Sequence, residues 1–394
     1  MTNAFFPQPI YAHAGADATT RVLVAPAKYI QGPGVLKHAA TYLSQLGWQQ
    51  VGILASARGH ASQAGELAQS LRHAGRSAVA ETFAGECSAE AVNAHAEALQ
   101  DAQLDGLVAV GGGKCVDAGK CVAHRLGVPL VVVPTLASND APCSAVSVMY
   151  TPEGVAAGAE FFPLNPLMVI VDTQVVADAS ERYLVAGMGD AMATWYEARV
   201  CMQNPAARTV VGARPTMTAC AMGELCADTL FAQGEAASAQ VAAGAPGEAL
   251  ESVVEANTLL SGVGFESGGL AAAHGYAQGF TVVPEVEQNY LHGEMVALGV
   301  LGQLALQSDP SELDRVADFF ARVGLPVHLG QIGMAAGSRA LDDVVGGTMS
   351  FAPLSNLPFT VTPERVKEAL LRAHTAGLAV AQRVGDTAYR RVQA

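Results

Sequence analysis

At 394 residues the chain is longer than one compact core usually holds, and it points to two domains. It is 51% hydrophobic and 15% charged, too apolar for disorder, and its net charge of −14 with five lysines argues against nucleic acid and anionic membranes. Seven scattered cysteines fit reduced intracellular thiols, and the most tempting apolar stretch, residues 128–150, is cut by Pro134, Asn139, Asp140 and Pro142, so no membrane span is expected.

Residues 1–20 lack the basic start and apolar core of a signal peptide and read as an N-terminal arm of a cytoplasmic protein. From 21 to 180, apolar runs of strand length at 51–55, 77–83, 106–110, 130–134 and 168–172 alternate with helical patterns at 34–46, 61–74 and 89–100. That alternation, with continuous apolar strands, predicts an α/β domain whose parallel, Rossmann-like sheet is covered on both faces. Beyond it, periodic stretches at 187–203, 216–231, 248–263, 292–307, 310–323 and 363–383 predict an all-α domain over 181–394. The Ala/Gly-rich stretch 233–246 reads as a solvated helix-loop without a role. The cleft between the halves is the default active site.

The strand ending at Val110 runs into Gly111, Gly112, Gly113 and Lys114, then a helical pattern with Asp117 and Lys120. Glycines at a strand-to-helix turn admit close backbone approach, and the helix start offers N–H groups and a positive dipole end to a pyrophosphate. A plain tight connection would use the same glycines; the doubly wound setting favours a dinucleotide. The next strand opens a polar loop from Thr135 through Ser138, Asn139 and Asp140 to Ser144. Val146 to Tyr150 then alternates like a strand, and Thr151-Pro152-Glu153-Gly154 has turn chemistry, so a hairpin is expected there.

In the helical half stand Asp190, within Gly187-Met188-Gly189-Asp190, His274 after an alanine run, and His292 opening a helix. One carboxylate and two imidazoles make a reasonable donor set for a catalytic divalent metal with an open position. On spacing alone, Asp190 as a helix cap and the histidines as core residues are the more ordinary readings.

Together the glycine turn, the 134–144 loop, the 187–195 segment, Ser261-Gly262-Val263-Gly264-Phe265-Glu266-Ser267-Gly268-Gly269 and Leu291-His292-Gly293-Glu294 closely resemble the glycerol dehydrogenases of the iron-type (group III) alcohol dehydrogenase superfamily. The resemblance runs in order from about Tyr29 to about Leu371. It implies a dehydroquinate synthase-like fold, a homo-oligomer, and metal ligation by Asp190, His274 and His292. Iron-type members carry a further histidine four residues after the aspartate; Thr194 stands there, as in zinc-dependent members, so zinc is favoured over Fe(II). The resemblance further implies that Asp140 grips a substrate hydroxyl and that Phe265 lines the substrate pocket. Gly112, Gly113, Lys114, Asp117, Thr135, Ser138, Ser144, Val146 and Tyr150 become candidates for the nicotinamide cofactor's wall. Asn139 and Cys115 depart from the family pattern. So does Ser56, where relatives place an aspartate on the adenosine ribose; with Arg58 two residues on, NAD is favoured and NADP admitted.

The implied reaction is oxidation of glycerol, or a related small polyol, to the ketone (dihydroxyacetone), with hydride passing to the nicotinamide. Two other classes share the architecture. A sugar-phosphate cyclase or glycerol-phosphate dehydrogenase needs clustered Lys/Arg, whereas Lys367 is the helical half's sole lysine. A non-catalytic nucleotide-binding relative would be expected to have lost a ligand or Asp140.

Overall fold

The computed structural model describes residues 19–394, so all but the last two positions of the expected N-terminal arm lie outside the described residues. Its strands are β1 (Tyr29–Gly32), β2 (Gln50–Ser56), β3 (Ser77–Phe83), β4 (Gly106–Gly111), β5 (Leu130–Pro134), β6 (Val146–Tyr150), β7 (Ala156–Phe161) and β8 (Met168–Asp172). Six of them form a parallel sheet in the order β1-β8-β5-β4-β2-β3. The expected parallel sheet is present, and its central strands β4, β5 and β8 are buried at every position. Alternate residues serve opposite faces. Ile53, Val108, Val131 and Ile170 pack one side, whereas Leu54, Ala109, Val132 and Val171 join a core that continues into the helical half.

β1 carries no apolar run, being only four residues long and interrupted by Gln31; its residues Tyr29 to Gly32 are half-buried. The helix expected over 34–46 is a 3₁₀ turn, Val35–His38, followed by a six-residue helix, Ala39–Ser44. Asp172 tightens that start by accepting the N–H groups of Gly34 (2.8 Å) and Leu36 (3.1 Å). Helices α1 (Gly65–His73), α2 (Ala89–Gln100) and α3 (Gly113–Leu126) cover the sheet. β6 and β7 pair as the expected antiparallel hairpin, with Gly154 donating to the Thr151 carbonyl across its turn.

The helical half begins with α4 (Glu181–Gln203), six residues earlier than the periodicity suggests, because Ser180 caps it by accepting from Arg182. α5 (Met217–Ala242) and the exposed loop after it make 233–246 the expected helix-loop, but its buried residues correct the reading that it has no role. Gly234 lies where a Cβ would come 2.8 Å from the Phe319 ring, Ser238 is buried on Glu181, and Gln240 accepts the Leu250 N–H. Small residues there serve close packing, which composition alone does not reveal. α6 (Glu248–Glu255) passes through a π-turn, Ala256–Leu260, into α7 (Ser261–Gly268), so the helix expected to end near 263 runs further. α8 (Ala272–Phe280), α9 (Pro284–Asn289), α10 (His292–Leu306), α11 (Pro310–Val323), α12 (Ala340–Met349), α13 (Pro363–Val384) and α14 (Thr387–Gln393) complete it. α10 is buried at every position after His292 and is the axis of this half. Among the described residues no helix is long and apolar enough to cross a membrane.

Candidate active site

Three helices meet because glycines let their backbones touch. A Cβ on Gly189 would stand 2.3 Å from the Gly293 carbonyl oxygen, one on Gly293 1.8 Å from that of Ala186, and one on Gly299 2.1 Å from that of Ala273. These contacts lock α4, α8 and α10 together, and Asp190, His274 and His292 thereby bring one donor atom each within 4.8 Å of the others. Asp190 Oδ1 lies 3.4 Å from Nε2 of each histidine. Glu294 holds His292 in place by capping α10 at the Leu291 N–H (2.7 Å) and accepting from Nε and Nη2 of Arg182.

The residues fit a divalent cation. Asp190 Oδ1 is buried and has no hydrogen-bond partner, a costly state unless something positive faces it. Glu197, fully buried on α4, accepts from His274 Nδ1 at 2.6 Å and from the backbone N–H groups of Ala271 and His274. With the Nδ1 proton so held, Nε2 turns its lone pair toward Asp190. Burial alone would raise the Asp190 carboxyl, but the His292 and His274 imidazoles hold it well below the usual range. Burial opposes charge on His274, yet Glu197 and Asp190 raise it well above the ordinary imidazole value. The side chains of Asp190 and His274 are 1% and 13% exposed and that of His292 is 48%, so the cluster opens on one side only.

Glu197 was not singled out from sequence, although it follows Asp190 by seven residues and so shares its helix face. Glu197→Gln should weaken metal affinity about 10- to 100-fold. Competition with a chromophoric chelator measures this, and unchanged affinity would mean that His274 needs no orienting carboxylate.

On the sheet side, the 137–145 loop is fastened to the π-turn and α7 by three side chains. Asn257 donates to the Ala137 carbonyl (3.0 Å), Ser261 to Asp140 Oδ2 (3.0 Å), and Glu266 accepts the Ala145 N–H (3.0 Å). Burial pushes Glu266 up to about 7 against its bonds to Asn165 and Ala145. Asp140 also donates its backbone N–H to Asp190 Oδ2 at 3.2 Å, which sets the loop beside the metal donors. Burial and the neighbouring Asp190 raise the Asp140 carboxyl well above its ordinary value, opposed by His274, Ser261 and Lys120. Phe265 lies one turn beyond Ser261 on α7 and is buried.

The glycine turn meets the start of α3, with Gly112 at the cap position. None of Gly111, Gly112 and Gly113 has a positive φ. Their glycine character reflects space. A Cβ would meet Cys115 (2.7 Å) at Gly111, Leu136 (3.1 Å) at Gly112 and the Asn139 amide (2.5 Å) at Gly113. Asn139 thus sits on the turn itself. Cys115 is 2% exposed and burial pushes its thiol up to about 12, so it packs and does not react. Thr135 and Ser138 are half-buried in the adjoining loop, and Lys114 is exposed, ion-paired with Glu86 at 2.6 Å and 5.3 Å above the Tyr150 ring.

The structure draws Asp117, Ser144 and Val146 around a residue that sequence reading left without a role. Buried Lys120 bonds Asp117 Oδ1 (3.1 Å), Ser144 Oγ (3.2 Å) and the Val146 carbonyl (2.6 Å), while Asp117 Oδ2 accepts the Val148 N–H. These bonds clamp β6 to α3. An Asp–Lys pair three residues apart within the otherwise uncharged, fully buried stretch 115–123 was the available signal. Ser56 ends β2 beside Gly111, its hydroxyl accepting the Gly59 N–H (3.2 Å), and Arg58 is exposed.

Comparisons with known proteins agree with this architecture. Residues 26–173 match the iron-containing alcohol dehydrogenase family model. Glycerol dehydrogenase of Escherichia coli O6:H1 is 42% identical over 365 residues, 91% of this chain and 97% of that protein. The crystal structure of glycerol dehydrogenase from Schizosaccharomyces pombe superposes with a TM-score of 0.87 at 30% identity, covering 94% of each chain. That of a probable glycerol dehydrogenase from Sinorhizobium meliloti 1021 gives 0.86 at 36% identity, covering 91% of this chain and 100% of the other. Matched over nearly the full length of such relatives, the chain belongs to the iron-containing alcohol dehydrogenase family and, within it, to the glycerol dehydrogenases.

Proposed function

We propose that this enzyme oxidises glycerol, or a related small vicinal diol, to the hydroxyketone, with NAD as hydride acceptor and zinc held by Asp190, His274 and His292. The observation that carries this is the buried, unpartnered Asp190 Oδ1 facing two imidazoles, with the Asp140 loop bonded to the same carboxylate. A divalent metal there would supply Lewis acidity toward the reacting hydroxyl. Glu197 keeps His274 in the liganding tautomer, and the half-exposed His292 leaves the approach open to substrate. Asp140 accepts from a second hydroxyl, which orients the diol and selects it over a mono-alcohol. Gly112, Gly113 and Lys114 present the start of α3 to the cofactor's pyrophosphate. Thr135, Ser138 and Tyr150 border that turn, and the Lys120 clamp on Asp117, Ser144 and Val146 keeps the β6 wall in place. Phe265 supplies apolar surface to the pocket. The pairing of Lys367 with Asp342 and of Arg182 with Glu294 counts against a phosphorylated substrate. Assay of a polyol and ketone panel with NAD and NADP, before and after chelation, tests this reading. Turnover of no polyol, or turnover indifferent to metal removal, would overturn it.

Asp140→Asn keeps the shape and removes the charged acceptor. Hydrogen bonds to charged groups are worth about 1.5–3 kcal/mol, so kcat/KM for glycerol should fall about 10- to 100-fold, and less for a mono-alcohol. Equal losses on both substrates would take the diol grip away from Asp140.

Discrimination against NADP should be weak, within about tenfold, because Ser56 offers no charge to repel a 2′-phosphate. Ser56→Asp should then penalise NADP far more than NAD, read as the ratio of kcat/KM values. A parent enzyme that already rejects NADP by about a thousandfold would mean another group guards the ribose.

A further inference from the structure

We propose that Ser261 is a positioning residue for Asp140, and that Thr194 positions Ser261, so that a buried hydroxyl relay sets the enzyme's preference for vicinal diols. This rests on Asp140 being the diol grip. Ser261 Oγ lies 3.0 Å from Asp140 Oδ2 and 2.8 Å from Thr194 Oγ1, and neither Thr194 nor Ser261 has exposed surface. Ionised, as a grip on a substrate hydroxyl requires, Asp140 only accepts, so Ser261 then gives its proton to it. Its oxygen is then free to accept, and Thr194 must be the donor. The proton direction is thereby fixed from Thr194 through Ser261 to Asp140, and each bond polarises the next.

Thr194 would ordinarily bond the carbonyl one turn back in its own helix. Here it reaches across to α7 instead. The surroundings are cut to this side chain: a Cβ on Gly264 would stand 2.5 Å from Thr194 Cγ2, and one on Gly223 3.4 Å from it. The close packing about Cγ2 leaves little room for a larger side chain one turn beyond Asp190, while the hydroxyl reaches Ser261. The π-turn just before Ser261 belongs to the same device. Its Asn257 ties the loop at Ala137 while Ser261 holds Asp140, so helix and loop are registered before substrate arrives. Without Ser261, the Asp140 carboxylate could rotate about its broad terminal torsion and present either oxygen or neither. Pinning Oδ2 leaves Oδ1 for the substrate's second hydroxyl. A mono-alcohol has no such hydroxyl and is indifferent to the relay.

The test compares Ser261→Ala, Thr194→Val and Thr194→Ser with Asp140→Asn, reading kcat and KM for glycerol and for 2-propanol together with thermal unfolding. Ser261→Ala should lower the glycerol-to-2-propanol ratio of kcat/KM about tenfold. Thr194→Val, which keeps the shape and loses the hydroxyl, should lower it about threefold, and Thr194→Ser should keep it. Should Ser261→Ala fail to fold, the isosteric Thr194 pair decides. Equal loss on both substrates in Ser261→Ala and Thr194→Val would overturn the relay as merely structural. A fall in the ratio with Asp140→Asn alone would overturn the relay and leave the diol grip standing; no change even in Asp140→Asn would overturn both.

Discussion

His274→Ala is expected to cost at least about a thousandfold in kcat/KM on glycerol while the protein remains cooperatively folded. His274 is a proposed ligand contributed by α8, and Asp190 with His292 alone leave too few donors to hold the ion at catalytic geometry. Losing Lewis-acid stabilisation of a developing alkoxide charge is worth several kcal/mol, and each 1.4 kcal/mol is about tenfold. Folding should survive because the core runs continuously from Leu54 and Val132 through α4, α8 and α10 without involving the ion. A zinc finger, which has no such core, unfolds without its metal. The substitution leaves Glu197 with backbone donors only, so a loss of about 1–3 kcal/mol in stability is expected. Exhaustive chelation of the parent enzyme should reproduce the kinetic loss, and restored metal should reverse it. Full turnover with metal content confirmed as nil would remove the site from Asp190, His274 and His292.

The sheet was legible because strands buried on both faces must be apolar throughout: 106–110, 130–134 and 168–172 fall where the apolar runs lie. β1 was not, since Tyr29 to Gly32 is only four residues long, half-buried, and interrupted by Gln31. Helix ends slipped where a cap outside the periodic pattern sets the boundary, as Ser180 does for α4. The π-turn at Ala256–Leu260 was invisible, because a five-residue turn does not interrupt the apolar pattern of helices so thoroughly buried.

The candidate metal donors were legible as residue types, but their convergence was not. Spacing along the chain says nothing about Asp190 Oδ1 meeting two imidazoles 3.4 Å away. Resemblance supplied that grouping. Glu197, Lys120, Ser261 and Thr194 act through other side chains across the fold, and each looks like an ordinary helix residue until its partner is placed. Asn139 and Ser56 were legible as departures, and the structure places both against the glycine turn.

Gly293→Ala should destabilise the protein by about 3 kcal/mol or more and weaken metal binding with it, although Gly→Ala in a helix ordinarily stabilises by up to about 1 kcal/mol. The sign reverses because a Cβ here would lie 1.8 Å from the Ala186 carbonyl oxygen, and that atom is backbone within α4. No rotamer relieves the overlap. α4 and α10 must separate by at least about 1.6 Å to reach ordinary contact at 3.4 Å, in an interior packed like a crystal. Asp190 rides on α4 one turn beyond Ala186, and His292 immediately precedes Gly293 on α10. The separation therefore acts directly on the distance between two metal donors. A displacement of about 1 Å at reacting groups can cost about a hundredfold in rate. Gly346→Ala on α12 is the control: no atom lies within 4 Å of its would-be Cβ, so it should follow propensity and stabilise slightly. Urea unfolding with chelator competition on both variants makes the comparison. A Gly293→Ala protein as stable as Gly346→Ala, with the parent's metal affinity, would show that helix contact at Gly293 does not set the ligand geometry.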